Sequence, residues 1–361
     1  MSGTSKRYAR ARTLLGQRWQ HAVTREEGVV APRPGSEALT GVHAGRRWPR
    51  RRRGEQPMVP PAEFTSYYGK PVINAPVWHS PDIPGYLFLG GLAGASSLLG
   101  AGAQLTGRPS LERAAKAGAL GAASLSMVAL IHDLGRPARF LNMLRVFKVS
   151  SPMNVGSWLL GAYVPAAGAA AASALTGKLP RLGAAATAGA ALLGPAVAAY
   201  TGALVSDTAV PAWHDGYPEM PFVFTGSAAT AAAGLGLLAA PPEQDAPARN
   251  LGLFGACLEL TASHWMTRRI GMVAEPYHSG RGGMYMKAGE ALTILGTIGS
   301  LAARRSRALG ALSGAALLAA SAATRWGIFH AGLVSANDPR YTVVPQRDRL
   351  SQRSSERREP S

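Results

Sequence analysis

Residues 182–205 read LGAAATAGAALLGPAVAAYTGALV, a run of 24 positions without one Asp, Glu, Lys or Arg. At a rise of about 1.5 Å per residue it makes a helix of about 36 Å, long enough to cross a hydrocarbon core of about 30 Å. Pro195 falls inside the run, where a membrane helix tolerates a kink if neighbours re-satisfy the backbone. Its many Ala and Gly residues suit helices whose backbones approach closely in lipid.

Working outward from this run, seven more segments of similar character follow one another along the chain. The eight span approximately 85–105, 113–132, 155–175, 182–205, 222–240, 250–267, 288–303 and 308–330. The seventh is short and interrupted by glycine, and Pro165 lies inside the third. The fold class is an all-α membrane protein, a bundle of about eight transmembrane helices. Charged residues are 16% of the chain, against roughly 25% in soluble proteins. Mean hydropathy is only +0.04, because it averages an apolar body with two polar tails.

The organisation reads as a disordered basic tail (1–60), a membrane-surface segment (61–84), an eight-helix transmembrane domain (85–330) and a polar C-terminal tail (331–361). Residues 61–84, PAEFTSYYGKPVINAPVWHSPDIP, hold too many prolines for a helix and too many aromatics for a floppy linker. Formal net charge is +18, with 14 Lys/Arg before Pro81 and 6 after Gly332. Basic residues flanking spans hold segments on the cytoplasmic side and meet anionic membrane lipid, so nucleic acid is not the expected partner. The single cysteine, Cys257, excludes an internal disulfide and leaves no thiolate set for an iron–sulfur cluster.

An even number of spans puts both chain ends on one side. The connections there are long, roughly 132–154, 206–221 and 268–287, and they carry Trp213, His214, Asp215, Tyr217, Glu219, Glu275, Tyr277 and His278. Those on the far side, around Gly107, Gly177, Pro241 and Arg304, are tight. Function is expected at the elaborated face. Its loops alone do not fix the orientation, and the basic tails place it in the cytoplasm.

Polar groups at membrane depth are costly and mark candidate sites. The second span ends in His132 and Asp133, followed by Arg136, Arg139 and Arg145. An Asp held by arginines at a helix end suits a quinone headgroup or its proton, and equally suits a capped helix end with lipid-facing arginines. Ahead of the first span, Asn74, Trp78 and His79 offer donors beside an aromatic ring, or an interfacial aromatic belt. Glu259 sits near the centre of the sixth span and must be protonated or paired with Arg325. A proton path through the two and a structural helix–helix pair are both open. His132, His264 and His330 all lie near the terminal side, without the facing partner at equal depth that a haem between helices requires. A transporter with Glu259 and Arg325 along its pathway, or a haem b anchor, is the competing class; no internal repeat of the transporter kind is evident.

Three stretches carry a family resemblance. YGKPVINAPVWHSPDIPGYLFLGGLAGAS (68–96) resembles the start of the NrfD / polysulfide reductase membrane subunits. DLGRPARFLNMLRVFKVSSPMNVGSW (133–158) resembles the family's most distinctive motif, and YTGALVSDTAVPAWHDGYPEMPFVF (200–224) is similar to its fourth-helix region. The resemblance extends over about residues 60 to 345, including NDPRYTVVPQR. It implies an eight-helix subunit that carries no haem or iron–sulfur cluster of its own. Such a subunit exchanges electrons between membrane menaquinone or ubiquinone and a ferredoxin-like iron–sulfur subunit, itself attached to a catalytic subunit, often of the molybdopterin type. By matching position, Asn74 and Asp133 would contact the headgroup, with His79, His132 and Arg136 beside them. The basic N-terminal tail departs from the family's pattern and argues for a cytoplasmic docking face in the bacterial inner membrane.

Overall fold

The computed structural model describes residues 71–74, 76–135, 142–303 and 306–356. The basic tail expected over 1–60, much of the surface segment, and Arg136 and Arg139 lie outside the described residues. The chain divides into two compact units, Ala75–Ala336 and a smaller one made of Met1–Asn74 with Asn337–Ser361.

The larger unit is a helical bundle. Eight helices of 20 residues or more follow one another: α1 Asp82–Leu105, α2 Pro109–Asp133, α3 Pro152–Thr176, α4 Pro180–Ser206, α5 Met220–Ala239, α6 Ala246–Arg269, α7 Gly280–Ala302 and α8 Arg307–Asn337. Each overlaps one of the eight apolar segments of the sequence, with α7 beginning at Gly280, eight residues before the expected start at 288. Six are long and apolar enough to cross a membrane by length and composition; α6 and α7 fall short of that measure. In the smaller unit a further helix, α9, runs over Arg340–Glu356. Among the described residues no strand is present.

Proline sets several helix starts. Pro109, Pro152 and Pro180 stand at the first helical position, where the missing N–H costs nothing. Gly177, at φ +70°, closes α3 in the left-handed conformation that glycine adopts freely. Residues 76–79, which open on Pro76, carry no regular structure. α8 continues to Asn337, past the expected end at 330, because Gly332 and Ser335 pack beneath Trp213 and Ala212.

α1 and α5 are the central helices: 72% of the apolar window of each is buried, against about a third for α2, α3 and α4. The core between them is mainly Ala with Leu99, Leu111, Leu237 and Leu317. Small residues let backbones touch. A Cβ on Gly94 or Gly194 would stand 2.3 Å from the other's carbonyl oxygen, and Gly226·Gly255 and Gly234·Gly314 meet in the same way. In lipid, where apolar burial between helices contributes little, such close packing supplies much of the association energy.

Connections at the end where α1 starts and α8 finishes are long and cross-tied. Trp213, in the single helical turn Pro211–His214, is 1% exposed and donates Nε1–H to the Ile328 carbonyl at 2.7 Å. Tyr277 donates to the Ala212 carbonyl at 2.8 Å, and the Ala212 N–H donates to Ser335 Oγ at 3.2 Å. Arg269 grips Glu219 with Nε and Nη2 at 2.7 and 2.6 Å. We call this end the rim.

Candidate functional site

α1 begins where α2 ends, because the two run antiparallel. Their termini bring two carboxylates and two imidazoles together at the rim. Asp133 Oδ1 accepts the His79 backbone N–H at 3.3 Å and lies 3.2 Å from His79 Nδ1. Asp82 Oδ2 lies 2.8 Å from His132 Nδ1. The acids are the shielded partners: their side chains are 13% (Asp133) and 22% (Asp82) exposed, against 66% and 76% for the histidines. A shielded carboxylate with an open imidazole is arranged to receive or give protons at a surface, since histidine changes charge near neutral pH. Trp78 stands beside this group and stacks on Trp213, with centroids 5.4 Å apart and planes at 26°.

One turn deeper, the Tyr86 hydroxyl pairs with that of Tyr200, and Ser126 Oγ donates to the Tyr86 carbonyl at 3.2 Å. Gly156 makes the room, for a Cβ there would lie 2.1 Å from the Tyr200 ring. Deeper still, Tyr163 Oη donates to the Ala93 carbonyl at 2.6 Å and meets Ser97 Oγ at 2.8 Å.

Of the expected site residues, the structure gathers Trp78, His79, His132 and Asp133. Asn74 is exposed and belongs to the smaller unit, and Arg136 is outside the described residues. Sequence reasoning missed Asp82, Tyr86 and Tyr200. For the first two the signal was available: His79, Asp82 and Tyr86 recur at helical spacing across the start of α1. For Tyr200 there was none, because it reaches the site only through the crossing of α1 and α4.

Glu259 and Arg325 form a second cluster, inside the bundle, with exposures of 3% and 0%. Of the two states expected for Glu259, protonated or paired with Arg325, the structure shows no ion pair between the two residues, and hydroxyls surround the carboxyl instead. Glu259 Oε1 accepts from Thr324 Oγ1 at 2.8 Å and Oε2 from Thr230 Oγ1 at 3.4 Å. Arg325 donates Nη2–H to the Phe224 carbonyl at 2.8 Å and lies over the Phe224 ring, 3.9 Å from its centroid. The reason is rotational: Glu259 on α6 meets Thr230 of α5 and Thr324 of α8, whereas the neighbouring Arg325 points towards α1, 3.4 Å from where a Gly91 Cβ would be. Nε and Nη1 of Arg325 have no protein partner. A carboxylate at such depth costs about 3 kcal/mol even on the lenient insertion scale, so hydroxyl donors around it matter.

No curated protein matches the chain. A family model does, over residues 72–241: the family described as polysulphide reductase, NrfD. The matched residues hold the lead-in to α1, both rim carboxylates and helices α1 to α5. The long apolar helices and the match support a multi-pass membrane protein, and over residues 72–241 the chain is similar to the NrfD family of polysulphide reductases, which supports a membrane subunit of a redox complex in general.

Proposed function

We propose that this subunit exchanges electrons between a membrane quinone, menaquinone or ubiquinone, and an iron–sulfur partner, and that the rim is where the headgroup reacts. The partner is a ferredoxin-like subunit attached to a molybdopterin-type catalytic subunit. The setting is the bacterial cytoplasmic membrane, with the rim facing the cytoplasm, as the basic tails favour.

The observation that carries this reading is Asp133: a shielded carboxylate paired with the open imidazole of His79, beside the Trp78–Trp213 stack. The fit to a quinone headgroup is chemical. An indole offers a flat apolar wall, an imidazole N–H donates to a carbonyl, and a carboxylate takes the proton that the hydroxyl releases. A bound quinone supplies two-electron, two-proton chemistry. The chain supplies His79 and Asp133 as one proton-handling pair and His132 and Asp82 as a second, so two protons have separate acceptors. Arg136, outside the described residues, completes the headgroup contacts in this reading. Glu259 and Arg325 form the inner part of a proton path.

The test is Asp133→Asn. It keeps the shape and removes the proton acceptor, so quinone-linked turnover of the complex is expected to fall about a hundredfold or more, in the range of general acid–base effects. Assembly, followed by co-purification of the partner subunits, is expected to persist. Wild-type turnover in that variant would sink the assignment.

A further inference from the structure

α6 and α7 are the two long helices that are not apolar enough to cross a membrane by composition. Several of their polar residues converge. Glu259, Ser263 and His264 of α6, Lys287 and Glu290 of α7, and Thr324 of α8 line one cavity of about 120 Å³, together with Tyr277 and His278 from the rim connection. That volume holds several waters, and the lining offers the polar partners that waters need.

Depth makes the cavity informative. Glu259 is ten residues from the rim end of α6 and Glu290 ten residues from the rim end of α7, about 15 Å by helical rise. Glu259 is buried, whereas Lys287 and Glu290 are exposed. Exposed charges at that depth are not stable against hydrocarbon; they need water or a protein partner. Gly289 leaves the space into which Thr324 fits, as a Cβ there would be 2.8 Å from Thr324 Oγ1. Thr324 in turn donates to Glu259. The neighbouring Arg325 leaves Nε and Nη1 without protein partners, which marks the same interior as a place for water.

We propose that this cavity is a water-filled proton inlet from the rim-side aqueous phase to Glu259, with His264 and Thr267 towards its mouth, Glu290 at the depth of Glu259, and Thr324 as the hydroxyl that hands protons on. The proposal rests on the quinone reading, because it makes the inlet the source or sink of the protons that the rim chemistry uses. In each passage one O–H bond forms on the Glu259 carboxylate as one breaks on a lining water, and the reverse on discharge. No oxidant or reductant is involved. The inlet opens between α6 and α7, away from the α1–α2 pairs, so protons and quinone would use separate doors on one face.

The experiment uses the assembled complex in lipid nanodiscs, where both faces meet added reagent. Cys257, the chain's one cysteine, is first replaced (Cys257→Ala). Ser263→Cys and, one turn nearer the mouth, Thr267→Cys are then exposed to a charged, lipid-insoluble methanethiosulfonate. Thr261→Cys, on the exposed face of the same helix, is the control. The cavity variants are expected to be modified and the control to stay unmodified. Glu259→Gln is expected to slow quinone-linked turnover by about tenfold or more, as loss of a proton-transfer group does, while a quinone-analogue inhibitor still binds. Cavity cysteines as inert as the control would overturn the inlet whatever the rim does. So would full turnover in Glu259→Gln while Asp133→Asn is inactive. Full turnover in Asp133→Asn instead removes the quinone reading, and labelling of Ser263→Cys still decides whether the cavity is wet.

Discussion

At the far end of the bundle, cations are tied to backbone carbonyls. Arg108 donates to the Glu243 carbonyl at 3.1 Å, and Arg307 to those of Leu237 and Ala240 at 2.8 and 2.6 Å. Lys116 is held between Glu112 and Gln104 at 2.6 and 2.8 Å. At the rim, carboxylates face imidazoles, and connections reach across the bundle through Trp213 and Tyr277. The far end thus satisfies the orphan carbonyls of short turns with charges that stay put. The rim keeps carboxylate–imidazole pairs next to the stacked indoles of Trp78 and Trp213. The lesson is that cations bound to short turns serve one end, while the other end keeps paired acids and imidazoles, the groups that the proposed chemistry needs.

Three changes would break or sharpen that contrast. Trp213→Ala removes the fully buried indole that binds Trp78, Phe329 and Ile328 together, and is expected to lower stability by about 3–5 kcal/mol. Thermal unfolding of the purified protein reads it, and Trp213→Phe should restore most of the loss. Arg307→Met at the far end removes charged donors from α5's last carbonyls, an expected loss of about 2–3 kcal/mol. Quinone-linked turnover per folded complex should be unchanged, and a variant that folds yet turns over slowly would end the division of labour between the two ends.

The smallest effect concerns acid. Two hydrogen bonds from Arg269 hold the Glu219 carboxyl below its ordinary range, against an opposing effect of burial. A carboxyl with a depressed folded value contributes stability that is present above its unfolded value and lost as pH falls through the folded one. The rim should therefore loosen on acidification, with faster hydrogen exchange over 207–219. Glu219→Gln should be looser at neutral pH and lack that dependence.

Much of this was legible in the sequence, and the reason differs by level. Spans were legible because lipid imposes one rule, long uncharged runs, that needs no partner; Pro152 and Pro180 mark helix starts by the same local logic. The rim's position followed from loop length alone. The pairs did not. That Asp133 meets His79, and Asp82 meets His132, depends on how α1 and α2 are rotated about their axes, which Ala- and Gly-rich faces barely encode. The same limit explains Glu259 and Arg325: composition put both inside the bundle, and only the rotation of α8 sends the guanidinium to Phe224 instead of the carboxylate. α8 also outran its expected end at 330, because packing beneath Trp213 extended a helix that hydropathy alone had closed.

The glycine crossings have a consequence for anyone who randomises this gene. Positions 94, 194, 226, 255, 234 and 314 press main chain against main chain, so even alanine should be rejected there. In a growth-based mutational screen they would score as severely as the rim acids, although glycine has no side chain to carry chemistry. Separating the two groups takes a readout of protein abundance alongside fitness: the crossings would fail both, and Asp133 only the second.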